Sequence, residues 1–185
     1  MAAQHKSRGI RWLLAPTAIF SAASVQCIAA QYMSLEQAQA LIFPNAKEFV
    51  AAPVTLTPDQ VARIERQSGV SVRSPEQQVW QARADGKLLG WFIVDRVIGK
   101  HELITYAAGI NLEGSLRQFQ ILEYRENYGS QIRFPSWRDQ FVGKTAADKV
   151  ELDTDIVNIS GATMSCRHVT EGIKRLLVFY QVALR

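Results

Sequence analysis

Between Val79 and Tyr124 the chain reads as a succession of apolar-rich, strand-like runs separated by short turn signals. Val79 to Ala84, the Asp85-Gly86 pair and Leu88 to Ile98 make a hairpin signal of the strongest short-range kind. Gly99-Lys100 turns the chain into Leu103 to Ile110, and Asn111-Leu112-Glu113-Gly114 turns it again into Leu116 to Tyr124. Three turns between four successive strands leave room for no crossover helix, so an antiparallel meander is expected. Trp91-Phe92-Ile93-Val94 is apolar at consecutive positions, which predicts a strand buried on both faces.

The flanks read as helix. Ser34 with Gln37, and Thr57 with Gln60, are capping boxes; Pro44 limits the first helix, while Pro58 and Gly69 start and stop the second. Val61 and Ile64 are too few apolar residues to hold a free helix, so residues 31–74 are expected as a helical extension lying on a main domain at 75–185. After the strands come a charged, aromatic loop from Glu123 to Gly129, a short helix around Trp137 to Phe141, and a strand-like run of Ile156, Val157 and Ile159. A final helix runs from Cys166 to Ala183 with Val169, Ile173, Leu176 and Tyr180 on one face. The fold class is therefore α+β, an antiparallel sheet packed against helices, in a chain of 185 residues that suffices for one domain.

The first 30 residues read as a signal peptide or a membrane anchor. Lys6, Arg8 and Arg11 form a basic start, Trp12 to Ala30 is uncharged and largely apolar, and Ile28-Ala29-Ala30 offers small residues for cleavage. Removal of the three basic residues lowers the net charge from +4 to +1, so the basic character of the whole chain is no argument for nucleic acid, and no nucleic-acid partner is expected. Cys27 would leave with the same segment. Cys166 would then stand alone in an oxidising compartment, unable to form an internal disulfide, and its place beside Ser165 suggests a small, partly buried neighbour of a ligand site.

The run Ser160-Gly161-Ala162-Thr163-Met164-Ser165 sits at the entrance of the final helix. A tight turn into a helix gathers free backbone N–H groups at the positive end of the helix dipole, where a phosphate is stabilised, and Gly161 and Ala162 would let a ligand approach the backbone. A Ser or Thr helix cap explains the same residues. The lysine of a P-loop and the glycine spacing of a dinucleotide fold are both missing.

The motif resembles the [Ser/Thr]-Gly-Ala-Thr-x-[Ser/Thr] attachment sequence of the FMN-binding domain family, found in the C subunit of sodium-pumping NADH:quinone reductases and the G subunit of Rnf complexes. Glu126 and Gly129, and then Gln140-Phe141-Val142-Gly143-Lys144, also resemble that family in order, over roughly residues 79–183. The family carries an Asp three or four residues before its Ser; here Asp155 is five residues ahead of Ser160, and Val157 and Asn158 fill nearer places. The resemblance implies FMN joined by a phosphoester to the Thr163 hydroxyl, put there by a separate FAD-dependent flavin transferase. It further implies that Ser160, Gly161, Ala162 and Ser165 cradle the phosphate, that Tyr128 and Gly129 pack beside the flavin ring, and that Lys144 faces its polar edge or phosphate.

Other chemistries lack their residues. His101 and His168 have no Cys or second His at metal-ligand spacing, so no metal site is expected. Covalent haem would need a Cys-x-x-Cys-His run, and a Ser hydrolase a Gly-x-Ser-x-Gly elbow; neither occurs, and no catalytic residue is assigned. The expectation is an exported, periplasmic flavoprotein that carries electrons between redox partner proteins, some of them membrane-bound. An exported adaptor that holds FMN noncovalently, or holds no cofactor, is the alternative.

Overall fold

The computed structural model describes residues 30–185; all but the last residue of the expected export segment therefore lies outside the described residues. Strands β1 (Ala30–Gln31), β2 (Glu48–Ala51), β3 (Val54–Thr55), β4 (Glu76–Ala84), β5 (Lys87–Ile98), β6 (Leu103–Asn111) and β7 (Leu116–Tyr124) form a seven-stranded antiparallel sheet. Its order is β1-β7-β6-β5-β4-β2, with β3 also pairing to β4. The meander expected from the turn signals is present in full. Asp85 and Gly86 both adopt positive φ, 51° and 74°, the conformation that matches a two-residue hairpin to the strand twist.

Helices α1 (Leu35–Ile42) and α2 (Pro58–Ser68) open with the expected capping boxes. Ser34 Oγ accepts from Gln37 N at 3.2 Å and Gln37 Oε1 accepts from Ser34 N at 2.9 Å; Thr57 and Gln60 repeat the exchange at 3.3 and 2.9 Å. What the sequence pattern does not announce is that β2 and β3 lie between these helices and extend the sheet. In β2 only Phe49 turns inward, where its ring meets Phe43 and Phe92 edge-on, so a single apolar residue carries the docking and no alternation is visible.

Both faces of the sheet are covered. On one side Ile93, Val97, Tyr106 and Ile110 pack with Ile64 of α2 and with Val169, Ile173 and Leu176 of helix α4 (Thr163–Phe179). On the other, Phe92, Ala82 and Ala107 pack with Ala38, Ile42 and Phe43 at α1. The adjacent Phe92 and Ile93 therefore serve opposite cores, as the unbroken apolar run predicts. A single-turn helix α3 (Pro135–Arg138) and the turn Asp139–Phe141 close the lower edge of the first core through Trp137 and Phe141 against Phe119.

Helix α4 is also tied to the sheet by charge. Arg175 Nη2 and Asp95 Oδ2 lie 2.6 Å apart with both side chains almost wholly buried; Tyr106 donates its hydroxyl to the same carboxylate, and Arg175 Nη1 donates to Ser71 O at 3.2 Å. Removing one member leaves the other charged in a dry environment. Asp95→Ala is accordingly expected to lose about 3 kcal/mol of stability in urea unfolding, and a loss below about 1 kcal/mol would show that water reaches the pair.

Candidate functional site

Three segments meet at the start of α4. The first is the lead-in to the Ser160–Ser165 run. It is not a strand beyond an isolated pairing of Ile156 with Leu152, because its backbone is engaged by side chains instead. Val157 N donates to Gln140 Oε1 at 2.8 Å and Val157 O accepts from Trp137 Nε1 at 2.8 Å. Asp155 accepts from Lys144 Nζ at 2.8 Å, Glu151 N at 2.7 Å and Val150 N at 3.1 Å. Burial works against its charge, yet the Lys144 ammonium and the two N–H donors prevail and hold the carboxyl below the usual range.

The chain then turns through Gly161, at φ 82°, a left-handed conformation open to glycine without strain. Ala162 N donates to Ile159 O at 2.9 Å, and Ala162 itself stands at the cap position of α4. No side chain caps the helix, so the cap reading of Ser160, Thr163 and Ser165 is overturned and the first-turn N–H groups lack a side-chain acceptor. Thr163 is half-buried; its Oγ1 accepts from Asn158 Nδ2 at 3.3 Å. Asn158 Oδ1 is the one buried side-chain polar atom with no partner among the described residues.

The second segment is the loop after β7. The Tyr124 hydroxyl donates to Tyr128 O and accepts from Ser165 Oγ at 2.9 Å. Ser165, 4% exposed, is therefore a support for that loop. Gly129, at φ 89°, lies so near that a Cβ on it would stand 2.7 Å from the Tyr124 oxygen and 3.1 Å from the Ala162 Cβ. Tyr128 stands out at 82% exposure.

The third segment is the turn between β5 and β6. Glu126 accepts from the N–H groups of His101 at 2.5 Å and Glu102 at 3.0 Å, and His168 Nδ1 donates to Gly99 O at 2.9 Å. The turn is thereby held to both the loop and α4. Neither a cap nor a free surface residue, His168 is a strut.

Together these segments enclose an open cleft of about 430 Å³. Lys100 and His101 line it from the β5–β6 turn, Glu126, Asn127 and Tyr128 from the loop after β7, and Gly161 to Ser165, here called its floor, from the start of α4. Of the residues expected from sequence, Thr163, Gly161, Ala162, Ser165 and Tyr128 line the cleft and Gly129 buttresses it, while Ser160 precedes the floor in the turn. Lys144 is not among the lining residues; its ammonium pairs with Asp155 and, with Gln140, fixes the lead-in segment. Lys100, His101, Tyr124 and Asn158 were not foreseen.

The donor set suits a phosphorylated aromatic cofactor. A helix start without a side-chain cap, a left-handed Gly161 with nothing within 4 Å of its missing Cβ, and the Lys100 ammonium favour an anion on the floor. Tyr128 and Met164, both exposed, offer apolar surface at the rim, and the volume is within the range of small-molecule sites, about 300–1,000 Å³. The orphaned Asn158 acceptor beside Thr163 is a polar group that the chain alone does not satisfy. Among the described residues no group of three or more His, Cys, Asp or Glu side chains converges as a metal centre would require.

Residues 99–178, which run from the β5–β6 turn to the last turn of α4, match the FMN-binding domain family, the one that the Ser160–Ser165 motif resembles. The fold is similar to the crystal structure of Shewanella oneidensis NqrC, with a TM-score of 0.50 and 17% identity over 77% of this chain and 73% of that one. No curated protein matches the chain.

Glu126 supplies a pH test of the cleft wall. Burial pushes its carboxyl up, but the N–H groups of Glu102, His101 and Lys100 outweigh that and hold it below the usual range. A carboxyl lowered by folding stabilises the fold above its unfolded pKa, and that stabilisation is lost as pH falls through the lower folded value. Protection of the His101 and Glu102 amides from hydrogen exchange is expected to hold at neutral pH and to drop in acid below the ordinary glutamate range. In Glu126→Gln it should be weakened already at neutral pH; unchanged protection in that variant would show that the carboxylate does not hold the turn.

Proposed function

We propose that this chain is an exported flavoprotein that holds FMN through a phosphoester to Thr163 and passes electrons between redox partner proteins. The observation that carries the reading is the position of the Thr163 hydroxyl, on the floor of a cleft at a helix start that no side chain caps. The FMN-binding family match over residues 99–178 and the shared fold with NqrC support the cofactor and the electron-carrier role.

In this reading each part of the cleft has a separate task. Thr163 Oγ1 is the point of attachment. The Gly161–Ala162 backbone, the first-turn N–H groups and Lys100 stabilise the phosphate charge. Tyr128 and Met164 cover part of the ring, and Ser165 and Gly129 hold the Tyr128 loop in place through Tyr124. Lys144 acts at one remove, by fixing the lead-in segment through Asp155. Bound FMN supplies one- and two-electron chemistry at its ring, with a potential set by the burial and hydrogen bonds around it.

Export gives the covalent bond its purpose. The basic Lys6, Arg8 and Arg11 followed by the apolar Trp12 to Ala30 support passage across a membrane, with the segment either cleaved or kept as an anchor. Among the described residues no helix is long and apolar enough to cross a membrane. A carrier on the far side of a membrane cannot reload FMN from the cytoplasm, and an ester through the phosphate retains the cofactor while leaving the ring untouched. Attachment calls for an FAD-dependent flavin transferase as a partner.

Co-expression with such a transferase, followed by acid precipitation, tests the proposal. Flavin absorbance is expected to stay with the precipitated parent chain and to be missing from Thr163→Ala, whose melting should stay within about 1 kcal/mol of the parent because the site is half-exposed. Flavin that washes off the parent chain would point to noncovalent binding, and flavin retained by Thr163→Ala would refute the assigned attachment point.

A further inference from the structure

Thr163 Oγ1 accepts a hydrogen bond from Asn158 Nδ2 at 3.3 Å, and the same amide leaves its own Oδ1 buried without a donor. Turned the other way, the amide would present Oδ1 to the Thr163 hydroxyl and bury its NH₂ without an acceptor instead, so either orientation leaves one amide group unpartnered while the threonine is free. The two orientations cease to be equivalent once Oγ1 becomes an ester oxygen. It then has no proton to give, so an amide oxygen facing it would set acceptor against acceptor, whereas an amide NH₂ still donates.

We propose that Asn158 is a positioning residue for covalent flavin attachment: its amide NH₂ holds Thr163 Oγ1 in place before, during and after ester formation. The inference rests on the reading of Thr163 as the attachment point. The reaction joins Oγ1 to the phosphorus of the FMN half of FAD and breaks the pyrophosphate P–O bond. AMP leaves with the bridging oxygen, and the hydroxyl proton passes to a base of the transferase. With the amide donating to Oγ1, that proton is free to point away from Asn158. As negative charge grows on Oγ1 the contact becomes charge-assisted, and such hydrogen bonds are shorter and stronger than neutral ones, so a contact starting at 3.3 Å has room to tighten.

The placement of Asn158 is built rather than incidental. Its neighbour Val157 has both backbone groups engaged, N to Gln140 Oε1 and O to Trp137 Nε1, each at 2.8 Å. Two residues beyond it Ile159 O accepts from Ala162 N at 2.9 Å, which closes the turn into α4. The amide and the hydroxyl thus belong to one rigid corner.

The test compares the parent chain, Thr163→Ala, Asn158→Asp and Asn158→Ala, each purified without flavin and incubated with an FAD-dependent flavin transferase and FAD. Attachment is followed by intact mass. Asn158→Asp keeps the shape but replaces the donor with a negative charge beside a developing oxyanion, and attachment is expected to slow by about tenfold or more. The loss should fall on kcat, with KM for the acceptor chain and the melting temperature little changed, a split that a merely structural role would not produce. Asn158→Ala, which removes the donor without adding charge, is expected to slow attachment by about tenfold and keeps the test open should the aspartate variant fail to fold. Attachment to the Asn158 variants at the parent rate would overturn the inference alone, as would a loss that follows only the fraction of chain unfolded. A parent chain that gains no mass, or a Thr163→Ala chain that gains as much as the parent, would remove the attachment point and this inference with it.

Discussion

The site depends on how closely Gly129 lies against Ala162. No Cβ could stand between them without meeting either the Ala162 methyl or the Tyr124 oxygen, and this contact brings the loop after β7 onto the start of α4. The Tyr124 hydroxyl completes the junction, taking a hydrogen bond from Ser165 on the helix and giving one to Tyr128 on the loop. Since Tyr124 is the last residue of β7, the end of the sheet sets where the floor and the wall of the cleft meet. Without that junction the helix start would be an ordinary uncapped end open to water.

Two further arrangements keep the corner stiff. Glu126 and His168 both hold the Gly99–Glu102 turn, whose Lys100 and His101 line the same cleft as Thr163. Behind the floor, Gln140 and Trp137 hold the backbone of Val157 by side-chain hydrogen bonds, and Lys144 holds the carboxylate of Asp155. The Gln-Phe-x-Gly-Lys segment therefore meets the cleft through the strand-like run it immobilises. Beneath both, α4 is held to the sheet by its apolar face and by the buried Arg175–Asp95 pair, which limits how far its first turn can drift.

Much of this was legible in the sequence, and the exceptions have physical causes. The meander could be read because each turn carries residues suited to it, Asp85-Gly86 above all, and the doubly covered strand because Phe92 and Ile93 are both apolar. The capping boxes of α1 and α2 are local and were visible as spacing. Edge strands β2 and β3 were not, since a four-residue strand docked by Phe49 alone leaves no period. The strand expected at Ile156 to Ile159 failed because its hydrogen bonds go to Gln140 and Trp137, far away in sequence. Lys144, assigned to the flavin from sequence, has its ammonium paired with the carboxylate of Asp155 and does not line the cleft, a pairing that its spacing of eleven residues did not announce. Lys100 was read only as part of a turn and His101 only as a metal ligand without partners; nothing in the linear order links them to a helix some seventy positions later, where His168 bonds Gly99.

The measurement that bears most directly on the account is the location of flavin in the chain after co-expression with an FAD-dependent transferase. Digestion by trypsin releases residues 150–167 as one peptide carrying Thr163. The account predicts that this peptide alone is fluorescent and heavier by one FMN group, with the fragment ions assigning that mass to Thr163. Flavin found on any other peptide, or none found on a chain that stays yellow until it is denatured, would contradict it.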